Sequence, residues 1–170
     1  SGLEEYISGV ILFDETIRQK DLNEKPFAQL LSEKGIIPGI KVDMGRIDLP
    51  NFPGEVITEG LDGLSKRLKE YTSLGAKFTK WRAEINIGEN TPSLNCISAN
   101  SESLARFAAL SQEAGLVPIV EPETMMKGDH DIDRAREVTA SALQNLFLKL
   151  KDHQVDFSKI LLKVNMVLPG

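Results

Sequence analysis

The chain has 170 residues, 41% hydrophobic and 26% charged, which suffices for one domain with a substantial core, expected here over residues 1–170. Its net charge of −5 without a basic block argues against nucleic-acid or membrane-surface partners, and no apolar run approaches the roughly 20 residues that span a bilayer. The one cysteine, Cys96, excludes an intrachain disulfide and fits the reducing cytoplasm.

The first half of the chain reads as alternating strands and helices. In chain order the pattern predicts a strand at 10–13, an acidic turn at 14–16, a helix at 26–35, a strand at 39–43, a loop at 44–60 and a helix at 61–75. Leu64, Leu68 and Tyr71 recur at helical spacing in the last of these segments, and Gly75 ends it.

The second half continues the alternation. It predicts a strand at 78–85, a helix at 101–115, a strand at 117–123, the longest helix at 131–152 and a last strand at 159–167. Ser101 is the predicted N-cap of the first of these helices. Near-continuous apolar strands alternating with helices are typical of a parallel sheet covered by helices.

Two architectures fit this alternation, an open doubly wound sheet and part of a (β/α)8 barrel. An open sheet usually binds its ligand beside a glycine-rich phosphate turn, and neither GxGxxG nor GxxxxGK[ST] is present. In a barrel every strand brings functional groups to its carboxyl end. The polar residues are spread evenly over the strands, which favours the barrel, although about five strands do not close an eight-stranded one.

Four of the strands carry a charged residue followed two positions later by a second polar residue. These pairs are Lys41 with Asp43, Lys80 with Arg82, Glu121 with Glu123, and Lys163 with Asn165. Successive pairs lie about 40 residues apart, the size of a βα unit, and residues i and i+2 of a strand share a face. A single lysine in an apolar strand is more often an edge or snorkelling residue, but four such strands at one period predict a shared, lysine-rich active site.

This set of groups suits Schiff-base chemistry. A neutral lysine amine attacks a carbonyl, and burial and neighbouring cations both favour the neutral amine. A carboxylate within reach shuttles protons, and the remaining cations hold an anionic, phosphorylated substrate. No metal or cofactor is expected: His130 and His153 lack ligand spacing and are predicted to be solvent-exposed, and Cys96 is predicted to be a small loop or helix-start residue.

Several segments together carry a resemblance to a known family. From about Tyr6 to Gly170 the chain resembles the class I (Schiff-base) fructose-1,6-bisphosphate aldolases, in the segments YISGVILFDET, GIKVD, GLDGLSKR, FTKWR, IGENTPS, GLVPIVEPE, GDHDI and LLKVNMVLPG. The resemblance implies an α/β fold, a (β/α)8 TIM barrel of which this chain covers about strands two to six. It also implies a cytoplasmic, homotetrameric lyase of glycolysis that cleaves fructose 1,6-bisphosphate to dihydroxyacetone phosphate and glyceraldehyde 3-phosphate.

The resemblance also implies residue roles. Lys163 is the Schiff-base nucleophile, and Glu121 is the general acid and base with Glu123 as its carboxylate neighbour. Lys80 assists conversion of the carbinolamine. The resemblance places Arg82 and Lys41 in contact with substrate phosphate or the hydrogen-bond network of the site. The predicted substrate-binding set also includes Asp43 and Asn165, which follow Lys41 and Lys163 by two positions in the paired strand pattern.

The chain departs from the family pattern at two positions and in extent. Met44 stands where the family commonly has lysine, and Val164 stands where it commonly has proline. The family's first strand, with its catalytic aspartate, and its last two strands, with much of the phosphate site, lie outside the match. Two alternatives therefore stay open: a catalytically silent scaffold that acts as an interaction module, and an aldolase for another phosphorylated ketose. A plastid location also stays open.

Overall fold

The computed structural model describes residues 2–170. Its strands, β1 to β7 in chain order, are Gly9–Leu12, Ile37–Lys41, Arg46–Asp48, Val56–Thr58, Phe78–Ile85, Val117–Thr124 and Leu161–Leu162. Its helices, α1 to α5, are Asp14–Arg18, Phe27–Glu33, Leu64–Ser73, Leu94–Glu113 and Ile132–Asp152, with short 3-10 helices at Leu3–Glu5 and Phe157–Lys159. No helix among the described residues is long and apolar enough to cross a membrane.

Five strands form one parallel sheet in the order β1-β2-β5-β6-β7, as the alternation predicts. Strands β5 and β6 pair over their full length, which sets Arg82 beside Glu121 and Glu84 beside Glu123. Strands β3 and β4 form a separate antiparallel hairpin. The long parallel β5–β6 pair therefore brings the charged residues of two strands into one row.

Strand β5 shows how the core and the polar face are separated. Its residues alternate between half-buried and buried along the whole strand. Trp81 is fully buried against the helical layer and stacks on Phe107 of α4, with ring centroids 5.5 Å apart. Lys80 and Arg82 point to the opposite face because side chains alternate along a strand. The buried face of the strand packs against the helices, so the charged side chains on its other face point away from them.

Helix α4 begins seven residues before its predicted start at residue 101. The N-cap is Ser93, whose hydroxyl accepts a hydrogen bond from the Cys96 amide at 3.0 Å, and the predicted cap Ser101 is buried inside the helix. The buried carboxylate of Glu55 in turn accepts the Ser93 hydroxyl proton at 2.6 Å. The helix start is thus set by a residue from the hairpin segment, which local spacing does not reveal.

Three further local predictions were wrong. The predicted acidic turn at 14–16 lies within helix α1, and the predicted loop at 44–60 contains the β3–β4 hairpin. The strand predicted at 159–167 pairs only at Leu161–Leu162. The ladder stops there because its next bond would come from residue 122, and Pro122 has no amide proton; further on, the Thr124 amide donates to the side chain of Asn165 at 3.1 Å.

Candidate active site

The centre of the site is the carboxylate of Glu121 on β6, which is 3% exposed. Lys163, just after β7, donates a hydrogen bond from Nζ to Glu121 Oε1. Lys80 of β5 forms an ion pair with Oε2 whose angles fall outside hydrogen-bond geometry. Three of the predicted catalytic residues, from three neighbouring strands, therefore meet at one carboxylate.

Burial and charge act in opposite directions on Glu121. Burial raises the pKa of the carboxyl, but its contacts with Lys163 and Lys80 lower the pKa by more, so that the net pKa lies below the ordinary value. Glu121 is therefore ionised at neutral pH. An ionised carboxylate in contact with two amines can accept a proton from either of them.

A second group of ion pairs lies two residues further along β5 and β6. Arg82 binds Glu123 through Nη2 and Nε, and its Nη1 forms an ion pair with Glu84 Oε1 at 2.8 Å. Arg46, at the start of the hairpin, pairs with the other oxygen of Glu84. Glu84 and Arg46 were absent from the predicted site. Glu84 was detectable, because it follows Arg82 by two positions on the same face, whereas nothing local marked Arg46.

Lys41 and Asp43 form a third pair at the carboxyl end of β2. Lys41 Nζ contacts Asp43 Oδ1, and Asp43 Oδ2 accepts the backbone amide proton of Arg82 at 3.3 Å. The Asp43 side chain is almost completely buried. Lys41 and Asp43 also line a cleft of about 530 Å³ whose walls do not include Lys80, Glu121 or Lys163. Lys41 nevertheless lies opposite Lys80 in the β2–β5 register, so this pair adjoins the Glu121 centre.

Asn165 is engaged by the protein on both sides of its amide. Its Oδ1 accepts hydrogen bonds from the backbone N and the hydroxyl of Thr124, each at 3.1 Å. Its Nδ2 donates to the Met166 carbonyl at 2.9 Å. In this structure Asn165 therefore attaches the segment after Lys163 to the end of β6, a contact that was absent from the predicted role.

The prediction that both histidines are solvent-exposed was wrong. His130 is 8% exposed, and the Gly170 amide donates a hydrogen bond to the His130 carbonyl at 2.8 Å. His153 is half-buried and contacts Glu102 at 2.8 Å. Cys96 lies in the first turn of α4, as one of its two predicted placements required. Among residues 2–170 no group of three or more His, Cys, Asp and Glu side chains is arranged to hold a metal ion.

The parallel strands follow one another in chain order, and their ends bring two lysines onto one buried carboxylate. This arrangement is that of part of a (β/α) barrel with a lysine-centred site. The chain belongs to the class I fructose-bisphosphate aldolase family, whose model, described as "Glycolytic: Fructose-bisphosphate aldolase class-I", matches residues 1–170. The predicted family and fold class are thereby confirmed.

Individual relatives agree. A probable fructose-bisphosphate aldolase class 1 of Xanthomonas campestris pv. campestris is 58% identical over 168 residues, 99% of this chain and 50% of the relative. The fructose-bisphosphate aldolase named cytoplasmic isozyme 2 of Pisum sativum is 49% identical over 166 residues, 98% of this chain and 46% of the relative.

A solved structure shares the fold. It is a chain from a ternary co-crystal structure of fructose-bisphosphate aldolase from Plasmodium falciparum, in complex with TRAP and a small molecule inhibitor. It matches with a TM-score of 0.96 at 43% identity, covering 100% of this chain and 50% of that one. The chain thus spans about half the length of the relatives it matches.

Proposed function

We propose that this protein is a fructose-bisphosphate aldolase that cleaves fructose 1,6-bisphosphate reversibly through a Schiff base on Lys163. The observation that carries the proposal is the contact of one buried carboxylate, Glu121, with two amines from adjacent strands. Membership of the class I family supports the same chemistry. No metal or cofactor takes part in the proposed sequence.

Formation of the Schiff base begins when Lys163 Nζ, after losing a proton to Glu121, attacks the C2 carbonyl of the ketose. The resulting carbinolamine loses its hydroxyl as water, for which a proton must be supplied to the leaving oxygen. Glu121, which then carries a proton, and the Lys80 ammonium lie at the same point and are the groups in position to supply it. The product of this stage is a protonated imine between Nζ and C2.

Cleavage follows from the electron-withdrawing character of that imine. A base removes the proton of the C4 hydroxyl, the C3–C4 bond breaks, and its electron pair passes into an enamine on Lys163. The aldehyde half leaves as glyceraldehyde 3-phosphate. Protonation of the enamine at C3 and hydrolysis of the imine then release dihydroxyacetone phosphate and restore the amine. Glu121 is the proposed carrier of these protons because its buried carboxylate contacts both Lys163 and Lys80.

The phosphate groups are assigned to the cations outside the Glu121 centre. Arg82 presents a planar fork that suits phosphate oxygens, and its side chain is about one-third exposed. Lys41 lines the neighbouring cleft. Glu123 and Asp43, which contact these cations, are proposed to orient Arg82 and Lys41 while the site is empty.

Borohydride reduction in the presence of dihydroxyacetone phosphate tests the proposal on the intact protein. We expect an intact mass raised by one reduced triose phosphate and an adduct on the peptide that contains Lys163. Lys163→Met should abolish the adduct without unfolding the protein, because the side chain is 58% exposed. Lys80→Met, the matched control, should still form the adduct, but more slowly. A protein that turns over no substrate and forms no adduct at Lys163 would instead support the silent-scaffold alternative.

The preferred ketose, the assembly and the location belong to the same proposal. We propose that fructose 1,6-bisphosphate is turned over faster than fructose 1-phosphate, because two separate cationic groups, at Arg82 and at Lys41, are present. Side-by-side turnover of the two sugars tests the order. We also propose that residues 1–170 form one domain of a cytoplasmic homotetramer, in keeping with the relatives named cytoplasmic or cytosolic.

A further inference from the structure

We propose that Thr124, supported by Thr139, is a positioning residue that holds the Lys163 amine against Glu121 by binding Asn165. This inference rests on the proposed function, since it concerns delivery of the Schiff-base lysine. It assigns a task to a hydroxyl at the end of β6 that takes no part in the chemistry itself.

The lysine stands on the most weakly paired strand of the sheet. Strand β7 pairs with β6 at only two positions, and Lys163 follows directly after it. The Lys163 amide still donates to the Val120 carbonyl at 2.9 Å, and the next attachment to β6 is through Asn165. The orientation of the lysine therefore depends on what fixes Asn165, two residues further on.

The hydrogen bonds around Asn165 have one consistent assignment of protons. Its Nδ2 donates to the Met166 carbonyl, so Oδ1 is the atom that faces Thr124 and accepts both its amide and its hydroxyl proton, each at 3.1 Å. The Thr124 hydroxyl has only one proton and gives it to Asn165. Thr139 Oγ1, at 3.0 Å, must therefore be the donor to Thr124 Oγ1.

Both hydroxyls are shielded from water, which makes the hydrogen bonds between them and to Asn165 costly to break. Thr124 is 2% exposed and Thr139 is 8% exposed. A buried hydroxyl that loses its partner is not compensated by solvent. The chain of bonds thus runs from helix α5 through the end of β6 to the segment that bears Lys163, and it fixes that segment relative to Glu121 on the same strand.

The expected kinetic signature separates positioning from substrate binding. Thr124→Val removes the hydroxyl but keeps the backbone amide bond to Asn165 and a similar shape. If the hydroxyl positions Lys163, kcat and the rate of borohydride trapping should fall about fivefold, the scale of one hydrogen bond, with KM little changed. Thr124→Ser retains the hydroxyl and should restore both rates. A KM increase at unchanged kcat would overturn the proposal and assign Asn165 to direct substrate contact.

Hydrogen exchange supplies a readout that does not need catalysis. In Thr124→Val the Lys163 backbone amide, which donates to the Val120 carbonyl, should exchange faster than in the wild type, whereas in Thr124→Ser it should not. Wild-type exchange rates in Thr124→Val would overturn the positioning role whatever the activity. If the wild-type protein itself forms no adduct, the proposed function fails, and exchange still decides whether the attachment exists. Thr139→Val, which leaves the Asn165 bond in place, should show a smaller effect in the same assays.

Discussion

Replacing Glu121 with glutamine tests how strongly the central carboxylate stabilises the fold. The Glu121 side chain is 4% exposed and that of Lys80 is 12% exposed, so the substitution leaves Lys80 as a poorly solvated, uncompensated charge. Removal of one partner from a buried pair destabilises by roughly 3–5 kcal/mol. Glutamine still offers one oxygen to an ammonium, and Lys163, 58% exposed, regains hydration. We therefore expect a loss of about 2–3 kcal/mol, which lowers the thermal midpoint by about 4–12 °C.

The pH dependence of this loss follows from the direction of the Glu121 pKa. The folded-state pKa lies below the ordinary value of 4.5, so the unfolded chain binds the proton more readily. The stabilisation is thus fully present above that ordinary value and is lost as the pH falls through the lower, folded-state pKa. Thermal midpoints of wild type and Glu121→Gln should differ most at neutral pH, and the gap should narrow as the pH falls below 4.5 and through the lower, folded-state pKa.

The double variant Glu121→Gln with Lys80→Met is the control. It should recover part of the lost stability because it also removes the uncompensated ammonium. The reasoning would be refuted if Glu121→Gln melts with the wild type at neutral pH, or if the gap between them widens on acidification.

Two further predictions concern the start of helix α4. Glu55→Gln should destabilise the protein by about 1.5–3 kcal/mol, because a buried carboxylate that accepts two hydrogen bonds from Ser93 loses its charge. Chemical denaturation measures this loss, and Glu59→Gln, at an exposed position, is the control; equal stability of the two variants would contradict the assignment. Cys96 should resist alkylation in the native protein at about pH 8, because burial, together with the Glu55 charge, raises the pKa of its thiol to about 11. Mass mapping that finds native Cys96 labelled as fast as in the unfolded chain would show that this thiol is accessible.

The sequence predicted the charged face of the sheet because that pattern is local. Alternation along β5 places Lys80 and Arg82 on the face opposite the buried Trp81. The spacing of about 40 residues between the strand pairs predicts that Glu121 lies on that same face of the sheet. Which carboxylate meets which amine was not predictable from alternation. The contacts between Glu121 and both lysines depend on the register of three strands, which only the folded sheet defines.

Element ends were predicted poorly where distant residues decide them. Helix α4 starts at a cap completed by Glu55, 38 residues before Ser93. Strand β7 stops opposite Pro122, about 40 residues earlier in the chain, which has no amide proton to continue the ladder. The carbonyl of the buried His130 likewise accepts its hydrogen bond from the distant Gly170 amide. In each case the deciding partner is remote in sequence, so a window of neighbouring residues contains no signal for it.

The ion pairs of Arg82 bear on how the site would receive an anion. The guanidinium already faces two carboxylates, Glu84 and Glu123, and Glu84 is shared with Arg46 of the hairpin. A phosphate that binds Arg82 would therefore exchange with resident anions rather than meet an unoccupied cation. Most of the Coulomb energy of the new pair would replace that of an old one. Selectivity among anions would then depend on geometry, since the anion whose oxygens best match the planar guanidinium of Arg82 is retained. A displaced Glu84 would still have Arg46 as its partner.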